Sequence, residues 1–323
     1  MMSVQASHQK EAQSRVVTVG SFVVDFSIRV PRLPQLGESL VGNEFYLGPG
    51  GKGTNVAVTV ARQQQRASII ARVGDDQFAD NAFDLYRKEH VDATHVQRTA
   101  GMPTAIAFAC IEPSGDNAIA VYLGANEALS PDDVSQAELV FQQASVVITQ
   151  FETPDETILR ALLLGRSYGA QCILNPAPAH FLSRAHLPLI DILTPNKGEA
   201  RVLVGIEPDD ETVGLAELGR RLVEEGVPNV IITLGAEGCL LVASDADALH
   251  VPAYRVEVAN TVGAGDAFNG GLAVGLSLGL SLPDAIERAT VTAALSCRAM
   301  GSIAGLPTRT EVEEHLTRFS KSL

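Results

Sequence analysis

The chain has 323 residues, a formal net charge of -14 and a sequence pI of about 4.9. Nucleic acids and anionic membrane surfaces attract clustered Lys and Arg, so this acidic balance argues against both as partners. The length is sufficient to bury a large core, and no linker long enough to separate two globular domains is visible. The sequence therefore indicates one main domain that acts on a small molecule.

Four cysteines stand singly in apolar segments, without the spacing of a metal site, namely Cys110, Cys172, Cys239 and Cys297. We expect them to be buried free thiols in a reducing compartment. Residues 1–15 are polar and lack the apolar core of a signal peptide, and no apolar run reaches membrane-spanning length. We therefore expect a disordered N-terminal tail at 1–15 and a cytoplasmic protein.

Short apolar runs alternate with helical patterns along the chain, which predicts βαβ units, a largely parallel sheet and an α/β fold. The predicted strands are Val16–Gly20, Ser68–Val73, Ser145–Thr149, Cys172–Asn175, Ile190–Thr194, Val230–Leu234 and Cys239–Ala243. The predicted helices are Thr54–Gln64, Asp80–His90, Pro154–Tyr168, Asn196–Val204, Glu211–Glu225, Asp266–Leu278, Pro283–Met300 and Thr310–Ser320. Residues 25–47 and 104–123 break the alternation and predict a small lid of antiparallel strands over the carboxyl edge of the sheet, where ligands of open α/β sheets bind.

The segment Asn260–Gly271 joins small, permissive residues to one acid at the start of a predicted helix. Gly263 and Gly265 let several backbone N–H groups converge, and the helix dipole adds positive potential, which together make an anion site. The carboxylate of Asp266, beside a bound phosphate, can take the proton from an attacking hydroxyl. The segment suggests phosphoryl transfer to an alcohol. A glycine-rich turn followed by an ordinary N-terminal Asp is the structural alternative.

A second glycine-rich loop, Gly48–Asn55, leads into an Ala/Val-rich helix. It superficially resembles a Walker A loop, but Gly53 follows Lys52 where a Ser or Thr should bind Mg²⁺, so a P-loop is excluded. The glycines let the main chain approach a compact polar ligand closely, with Lys52 and Asn55 as hydrogen-bonding groups. A loop with an exposed Lys at a helix start is the alternative.

Two acids follow predicted strands. Asp25 comes after the first strand, without the G-x-G-x-x-G turn of a dinucleotide site, and Glu152 follows the strand Ser145–Thr149. A carboxylate such as Asp25 can accept two hydrogen bonds from sugar hydroxyls. A capped turn is the alternative.

Asn196 and Glu199 follow another strand and lie on one face of a starting helix. The pair fits Mg²⁺-bound water and nucleotide phosphates, because Mg²⁺ usually retains waters and is held through few carboxylates. A capping box is the alternative.

The segment Thr233–Gly238 predicts a hairpin turn, which lies near a nucleotide if the Asp266 turn binds phosphates.

These segments, in this order, resemble the ribokinase-like (PfkB) family of carbohydrate kinases from Val16 to the C-terminal helix. Seven collinear segments carry the resemblance: Gly50–Asn55, Val73–Asp76, Gly124–Pro131, Asn175–Ala179, Thr194–Ala200, Ile232–Gly235 and the Asp266 segment. The resemblance implies one kinase domain at 16–323 with a three-layer α/β/α fold, a mostly parallel central sheet and a small β-sheet lid.

The resemblance also implies ATP and Mg²⁺, transfer of the γ-phosphoryl group to a sugar CH₂OH, and a homodimer formed through the lid. Asp266 is the implied base, and the amides of Gly263, Ala264 and Gly265 form the implied anion hole. The implied sugar-binding residues are Asp25, Gly51, Lys52, Asn55 and Glu152. The implied nucleotide-binding residues are Asn196, Thr233, Gly235 and Gly238, with Glu199 near Mg²⁺ through water.

Four positions depart from the family pattern, namely Val23, Gln64, Asn260 and Gly305. The resemblance as a whole implies D-ribose as the first expected substrate. Ribose-phosphorylating members carry a sugar-contacting Asn at the position of Val23, and this departure leaves another pentose, deoxyribose or a ketohexose as alternatives; a nucleoside is a further alternative, because the family includes nucleoside kinases. Gln64 replaces a small Gly or Ser at an expected surface helix end. A non-catalytic sugar-binding regulator on the same scaffold is the alternative from another functional class.

The remaining departures concern a monovalent cation. Members activated by K⁺ carry Asp at the position of Asn260, and Ser lines the same cation site at the position of Gly305. Both differences argue against K⁺ activation. The loop would then be held in shape by Asn260 bonding to its own turn or by Arg298.

Overall fold

The structure, a computed structural model, describes residues 14–113, 117–180, 183 and 186–319. Most of the tail predicted at 1–15 lies outside these residues, and so does the last residue of the helix predicted at Thr310–Ser320. Within the described residues, no helix is both long enough and apolar enough to cross a membrane.

The strands occupy β1 (Arg15–Val19), β2 (Val23–Arg29), β3 (Glu44–Gly50), β4 (Arg66–Gly74), β5 (Asp92–Thr99), β6 (Ala105–Ile111), β7 (Asn117–Tyr122), β8 (Ala144–Gln150), β9 (Gln171–Asn175), β10 (Ile192–Leu193), β11 (Asn229–Thr233), β12 (Cys239–Ala243) and β13 (Ala246–Val251). The helices occupy α1 (Lys52–Arg62), α2 (Gln77–Lys88), α3 (Pro131–Gln136), α4 (Glu138–Phe141), α5 (Asp155–Ser167), α6 (Lys197–Leu203), α7 (Leu215–Glu224), α8 (Ala264–Ser277), α9 (Leu282–Ser296) and α10 (Arg309–Phe319). Short 3₁₀ turns lie at Gly124–Ala128, Leu187–Leu189 and Gly235–Glu237.

A nine-stranded sheet in the order β13-β12-β11-β10-β9-β8-β1-β4-β5 forms the centre of the described chain. Its neighbouring strands from β5 to β11 pair in parallel, whereas β12 and β13 are antiparallel. Successive residues of a strand point to opposite faces, so Val146 and Ile148 of β8 join one core and Val147 joins the other. Helices α1, α2, α8, α9 and α10 cover the first face, and α3 to α7 cover the second. This architecture confirms the three-layer α/β/α fold.

The lid is a separate four-stranded sheet in the order β3-β2-β6-β7. Two details of its prediction were wrong. The lid strands begin at Val23 and extend to Gly50, while residues 30–43 between β2 and β3 form turns and irregular structure. The central pair, β2 and β6, is parallel rather than antiparallel. Both strands leave the main sheet at the same edge, because β2 follows β1 and β6 follows β5, and β1 and β5 run in the same direction.

Several element boundaries differ from the prediction for local reasons. Helix α2 begins at Gln77 because the side chain of Asp76 accepts the N–H groups of Phe78 and Ala79 at 3.0 and 3.2 Å. Helix α7 begins at Leu215, after an uncapped loop, and α9 ends at Ser296. The cysteines are free thiols, three of them buried, but Cys110 on the lid is only half-buried, which corrects its expected burial.

Candidate active site

Four carboxylates surround one lysine at the carboxyl edge of the central sheet. Burial lowers the pKa of the Lys52 ammonium group, but the charges of Asp266, Glu152, Glu199 and Asp25 raise it by more, so the pKa lies above its ordinary value. Lys52 therefore remains protonated at physiological pH. Acids from four separate segments of the sequence share this one cation.

Asp266 is the acid at the centre of this group. It is buried in the first turn of α8, and Gly263 caps that helix with a φ of 81°, a left-handed conformation that favours glycine. Asn55 on α1 donates a hydrogen bond from Nδ2 to Asp266 Oδ2 at 2.7 Å. The structure thereby brings together the two glycine-rich motifs of the sequence.

The predicted anion hole lies at the amino end of α8. Ala264 and Gly265 both line a large cavity, although the Ala264 N–H also donates to Thr261 O at 3.2 Å and must exchange that bond to reach an anion. Asn269 donates from Nδ2 to Gly265 O at 2.9 Å and accepts from Thr194 Oγ1 at 2.7 Å. This buried bridge fixes the turn to the end of β10.

Asp25 is the acid that the lid contributes. Its Oδ2 accepts a hydrogen bond from Ser302 Oγ at 2.9 Å. Burial raises the pKa of Asp25 to about 6, and the charges of Glu152 and Asp266 add to this effect, while Ser302 and Lys52 act in the opposite direction. Asp25 is thus an ionised hydrogen-bond acceptor at neutral pH, and any further hydrogen-bond donor would stabilise its charged form.

Glu152 lies between Ser21, in the connection from β1 to the lid strand β2, and the start of α1. It is buried and accepts hydrogen bonds from Ser21 Oγ and from the backbone N–H of Lys52, the latter at 3.1 Å. Gly51 precedes α1 with a φ of 95°, and a Cβ there would lie 2.8 Å from the backbone N of Val23. Only glycine fits this close approach, so the start of α1 is held against both Glu152 and the first lid strand.

A cavity of about 730 Å³ opens beside the Asp266 turn. Its lining includes the four predicted nucleotide-binding residues, namely Asn196, Thr233, Gly235 and Gly238. The rest of its wall is formed largely by Ala253, Tyr254, Arg255, Val256, Val258, Phe268, Thr290, Ala293, Ala294 and Cys297. The volume lies within the range of about 300–1,000 Å³ that is typical of small-molecule sites, and the wall is mostly apolar. The cavity is therefore large enough for a nucleotide.

Asn196 and Glu199 form the capping box of α6. Asn196 Oδ1 accepts the Glu199 N–H at 2.9 Å, and Glu199 Oε2 accepts the Asn196 N–H at 2.8 Å. Burial raises the pKa of Glu199, so a nearby cation would favour its ionised form. In the described part of the chain, no group of three or more His, Cys, Asp or Glu is arranged to hold a metal. Glu199 thus fits a Mg²⁺ ion that takes most of its ligands from water and phosphate.

The segment before the Asp266 turn is closed by its own hydrogen bonds. Asn260 is buried, and its Oδ1 accepts the Val262 N–H at 3.1 Å. A Cβ at Gly305 would lie 2.0 Å from Ser296 O, so the backbone leaves no room for a side chain there. Arg298 is exposed and forms a surface ion pair instead. Of the two alternatives for holding this turn, the structure contains the bond made by Asn260.

The sequence matches the model of the pfkB family carbohydrate kinase over residues 13–309. The chain belongs to the pfkB family of carbohydrate kinases. It is 34% identical over 301 residues to a ribokinase of Haemophilus influenzae, with 93% of this chain and 98% of the relative covered. It is 32% identical over 303 residues to a deoxyribokinase of Salmonella typhi, with 94% and 98% covered.

The pfkB-family kinase also shares its fold with solved structures. The structure of Arabidopsis thaliana ribokinase complexed with ribose and ATP has a TM-score of 0.82 and 25% sequence identity, and covers 94% of this chain and 98% of that chain. The predicted resemblance and fold are therefore confirmed, and the chain is a sugar kinase that acts as a phosphotransferase.

Several residues of the kinase site were not predicted. Ser302 donates a hydrogen bond to Asp25, and Ser21 donates one to Glu152; both contacts join segments that are far apart in the chain. Asn269 donates to Gly265 O within one turn of α8. The cavity wall from Ala253 to Val258 lies in an irregular segment without hydrophobic periodicity. Neither group carries a pattern that sequence reading detects.

Proposed function

We propose that this kinase transfers the γ-phosphoryl group of ATP to the CH₂OH group of a small sugar, with D-ribose as substrate and D-ribose 5-phosphate as product. The observation that carries the proposal is the hydrogen bond from Asn55 to Asp266. It joins the buried carboxylate of Asp266 to α1, and Ala264 and Gly265, which precede Asp266 in the same turn, line the cavity. Similarity to a ribokinase, and to a structure that contains ribose and ATP, supports this substrate pair.

The proposed reaction transfers one proton and one phosphoryl group. Asp266 takes the proton of the sugar hydroxyl, the hydroxyl oxygen forms a bond to the γ-phosphorus, and the bond from that phosphorus to the bridging oxygen of ADP breaks. The amides of Gly263 and Gly265 at the amino end of α8 stabilise the charge on the transferred group, once it lies over the turn. Lys52 balances the acids that surround the sugar.

The sugar is recognised by hydrogen-bonding groups on three sides. Asp25 accepts from a sugar hydroxyl in addition to Ser302. Asn55 Oδ1 is buried and has no hydrogen-bond partner among the described residues, so a bound hydroxyl would satisfy it. Glu152 lies in the same region, where it accepts the backbone N–H of Lys52 at the start of α1. A compact polyol fits this arrangement better than an apolar ligand does.

The nucleotide occupies the cavity, with its base against the apolar wall and its phosphates toward Ala264 and Gly265. Glu199, through water, and Asn196 would hold Mg²⁺, which neutralises phosphate charge when it is bound. Four free cysteines agree with a cytoplasmic, reducing location.

Deoxyribose is the second candidate substrate. Val23 is buried in an apolar cluster with Ala105 and Ala107 on the inner face of the lid. A valine offers no hydrogen bond to a sugar hydroxyl, and a deoxyribokinase is among the relatives of this chain. This observation favours a sugar that lacks one hydroxyl.

A coupled ADP-release screen over D-ribose, 2-deoxyribose, fructose and nucleosides tests the proposal. The expected result is turnover with a pentose and a product that mass spectrometry identifies as a pentose 5-phosphate. Absence of turnover with every compound would favour a sugar-binding regulator instead.

A homodimer formed through the lid completes the proposal. The lid face opposite Asp25 exposes a set of large apolar side chains, namely Ile28, Phe45, Leu47, Phe108 and Tyr122. Contiguous exposed apolar surface of this kind marks interaction sites. Light scattering on the wild type should give the mass of a dimer, and Phe108→Asp should give a monomer. A wild-type monomer at micromolar concentration would refute the dimer.

A further inference from the structure

The loop between α9 and α10, here called the C-terminal loop (residues 297–308), contacts the lid from below. Ser302 is buried, and its Oγ lies 2.9 Å from Asp25 Oδ2 and 3.4 Å from Pro49 O. A Cβ at the neighbouring Gly301 would lie 2.4 Å from Tyr46 Cζ, so the Tyr46 ring of β3 rests directly on the loop backbone. The loop thus touches both β2 and β3.

The same serine supports the catalytic turn from the other side. A Cβ at Gly263 would lie 3.0 Å from Ser302 Cβ and 3.4 Å from Ser302 O. Gly263 is the residue that caps α8 and precedes Asp266. One side chain therefore lies between the lid carboxylate and the turn of the anion hole.

Arg62 fixes the C-terminal loop on α1. Its Nη1 donates to Ile303 O at 2.9 Å and to Leu306 O at 2.8 Å, and its Nε and Nη2 form two bonds of 2.8 Å to Glu89. Ile303 and Leu306 are themselves buried in the core. The position of Ser302 is therefore set by the same helix that carries Asn55.

We propose that Ser302 is a positioning residue, which ties the sugar-binding carboxylate of Asp25 to the glycine turn in front of Asp266. The inference rests on the proposed function, because it takes Asp25 as a sugar ligand. The hydroxyl keeps Asp25 oriented toward the sugar, and the Cβ supports the turn on which the transferred phosphoryl group lies. Sugar binding and the anion hole are linked through this one residue.

The charged groups around Asp25 make this role measurable. Glu152 after β8 and Asp266 on α8 disfavour the ionised carboxylate, and Lys52 on α1 favours it. Burial, and to a smaller extent the charge of Asp25, raise the pKa of the Tyr46 phenol on β3. The Ser302 hydroxyl is the hydrogen-bond donor that keeps the pKa of Asp25 from rising further. Removal of this donor should therefore favour the protonated carboxyl.

Ser302→Ala removes the donor and retains the Cβ that supports Gly263. We expect the acid limb of kcat/KM for D-ribose to move up by about 0.5 to 1 pH unit, and the KM for ribose at pH 6.5 to rise about 1.5- to 3-fold. The KM for ATP should not change, and kcat/KM should recover by about pH 8.5. Ser302→Gly, which also removes the contact with Gly263, should lower kcat several-fold below that of Ser302→Ala.

Ser296→Ala is the matched control, because Ser296 is a buried serine just before the same loop whose Oγ donates to Ala293 O at 2.8 Å. It should leave the acid limb in place. An equal loss of kcat/KM at every pH in Ser302→Ala, or an equal kcat in the Ala and Gly variants, would overturn the inference.

A readout without turnover separates this inference from the proposed function. Carbon-13 NMR titration of labelled aspartate carboxyls in the substrate-free protein, with Asp25→Asn to assign the signal, gives the pKa of Asp25 directly. Ser302→Ala should raise this pKa, and an unchanged pKa would overturn the inference. Lack of activity with any sugar would overturn the proposed function alone.

Discussion

The side chains of Asn55 and Asp266 are joined by a hydrogen bond of 2.7 Å from Nδ2 to Oδ2, although they are 211 residues apart in sequence. Helices α1 and α8, which carry them, pack closely because Gly270 has no side chain: a Cβ there would lie 2.5 Å from Thr59 Cβ. Because of this packing, the first turns of both helices lie side by side. The contact fixes the orientation of the carboxylate that we propose as the acceptor of the sugar proton.

Asp25 should make the stability of the substrate-free protein depend on pH. Its pKa is about 6 in the folded state against an ordinary value of 3.8, so its contribution to stability is fully present below about pH 4 and is lost as pH rises through 6. At pH 8 the ionised group should cost about 2–3 kcal/mol. Asp25→Asn should therefore be more stable than wild type in urea at pH 8 and nearly equal at pH 4.

The exposed Asp84, which pairs with Arg87 on the surface of α2, provides the control for that experiment. Asp84→Asn should change the free energy of unfolding little at either pH. An equal effect of Asp25→Asn at pH 4 and pH 8 would show that Asp25 ionises normally in the folded protein.

Gln64 should be a site of stabilising substitution. It lies just after α1, is exposed, and has a φ of 60°, a left-handed conformation that costs a residue with a Cβ about 1 kcal/mol. Gln64→Gly should raise the free energy of unfolding by about 0.5–1 kcal/mol without changing activity. Gln65→Gly, at the next position, should instead lower it. Equilibrium unfolding in urea distinguishes the two, and destabilisation by Gln64→Gly would contradict this reading.

Potassium should stimulate the enzyme weakly or not at all. The carboxamide of Asn260 carries no charge and already accepts the Val262 N–H, and the approach of Gly305 to Ser296 O leaves no place for a hydroxyl ligand. The measurement is the initial rate against KCl at constant ionic strength, balanced with tetramethylammonium chloride. Asn260→Asp should create a response to K⁺. A saturable, several-fold rise specific to K⁺ in the wild type would show that carbonyl ligands suffice.

Val23 should weaken the preference for ribose over 2-deoxyribose. In the proposed sugar site its isopropyl group offers no hydrogen bond to a sugar hydroxyl, and a hydroxyl left unpaired costs about 1–3 kcal/mol. Val23→Asn should therefore raise the ratio of kcat/KM for ribose to that for 2-deoxyribose by roughly 5- to 150-fold. Val23→Ala, which adds no donor, is the control and should leave the ratio nearly unchanged. A strong ribose preference in the wild type that Val23→Asn does not increase would refute the prediction.

The interior of the fold was predictable because it repeats a simple pattern. Strands such as β8 are apolar on both faces, so they stand out in the sequence, and the carboxyl ends of parallel strands must meet at one edge. The strands β5 and β13 were missed because they lie at the two edges of the sheet, where each buries only a single apolar side chain, Val96 or Val251.

The site was predictable where one motif holds several functional groups. Asp266 with its glycines forms one contiguous motif and Lys52 with Asn55 another, and the structure brings the two motifs together through the Asn55–Asp266 hydrogen bond. Ser302 was not predictable, because its role exists only through contact with Asp25, 277 residues away. A serine in a loop carries no pattern of its own.

The most direct test of the account is rapid-quench measurement of phosphoryl transfer from γ-labelled ATP to D-ribose, in the wild type and in Asp266→Asn. Asn at this position can still accept the hydrogen bond from Asn55 but cannot take the sugar proton. We predict that the wild type forms ribose 5-phosphate and that the variant is slower by about 10²- to 10⁴-fold, with unchanged ATP affinity by calorimetry. A variant that transfers phosphate at nearly the wild-type rate, or a wild type that transfers none to the sugar, would contradict the account.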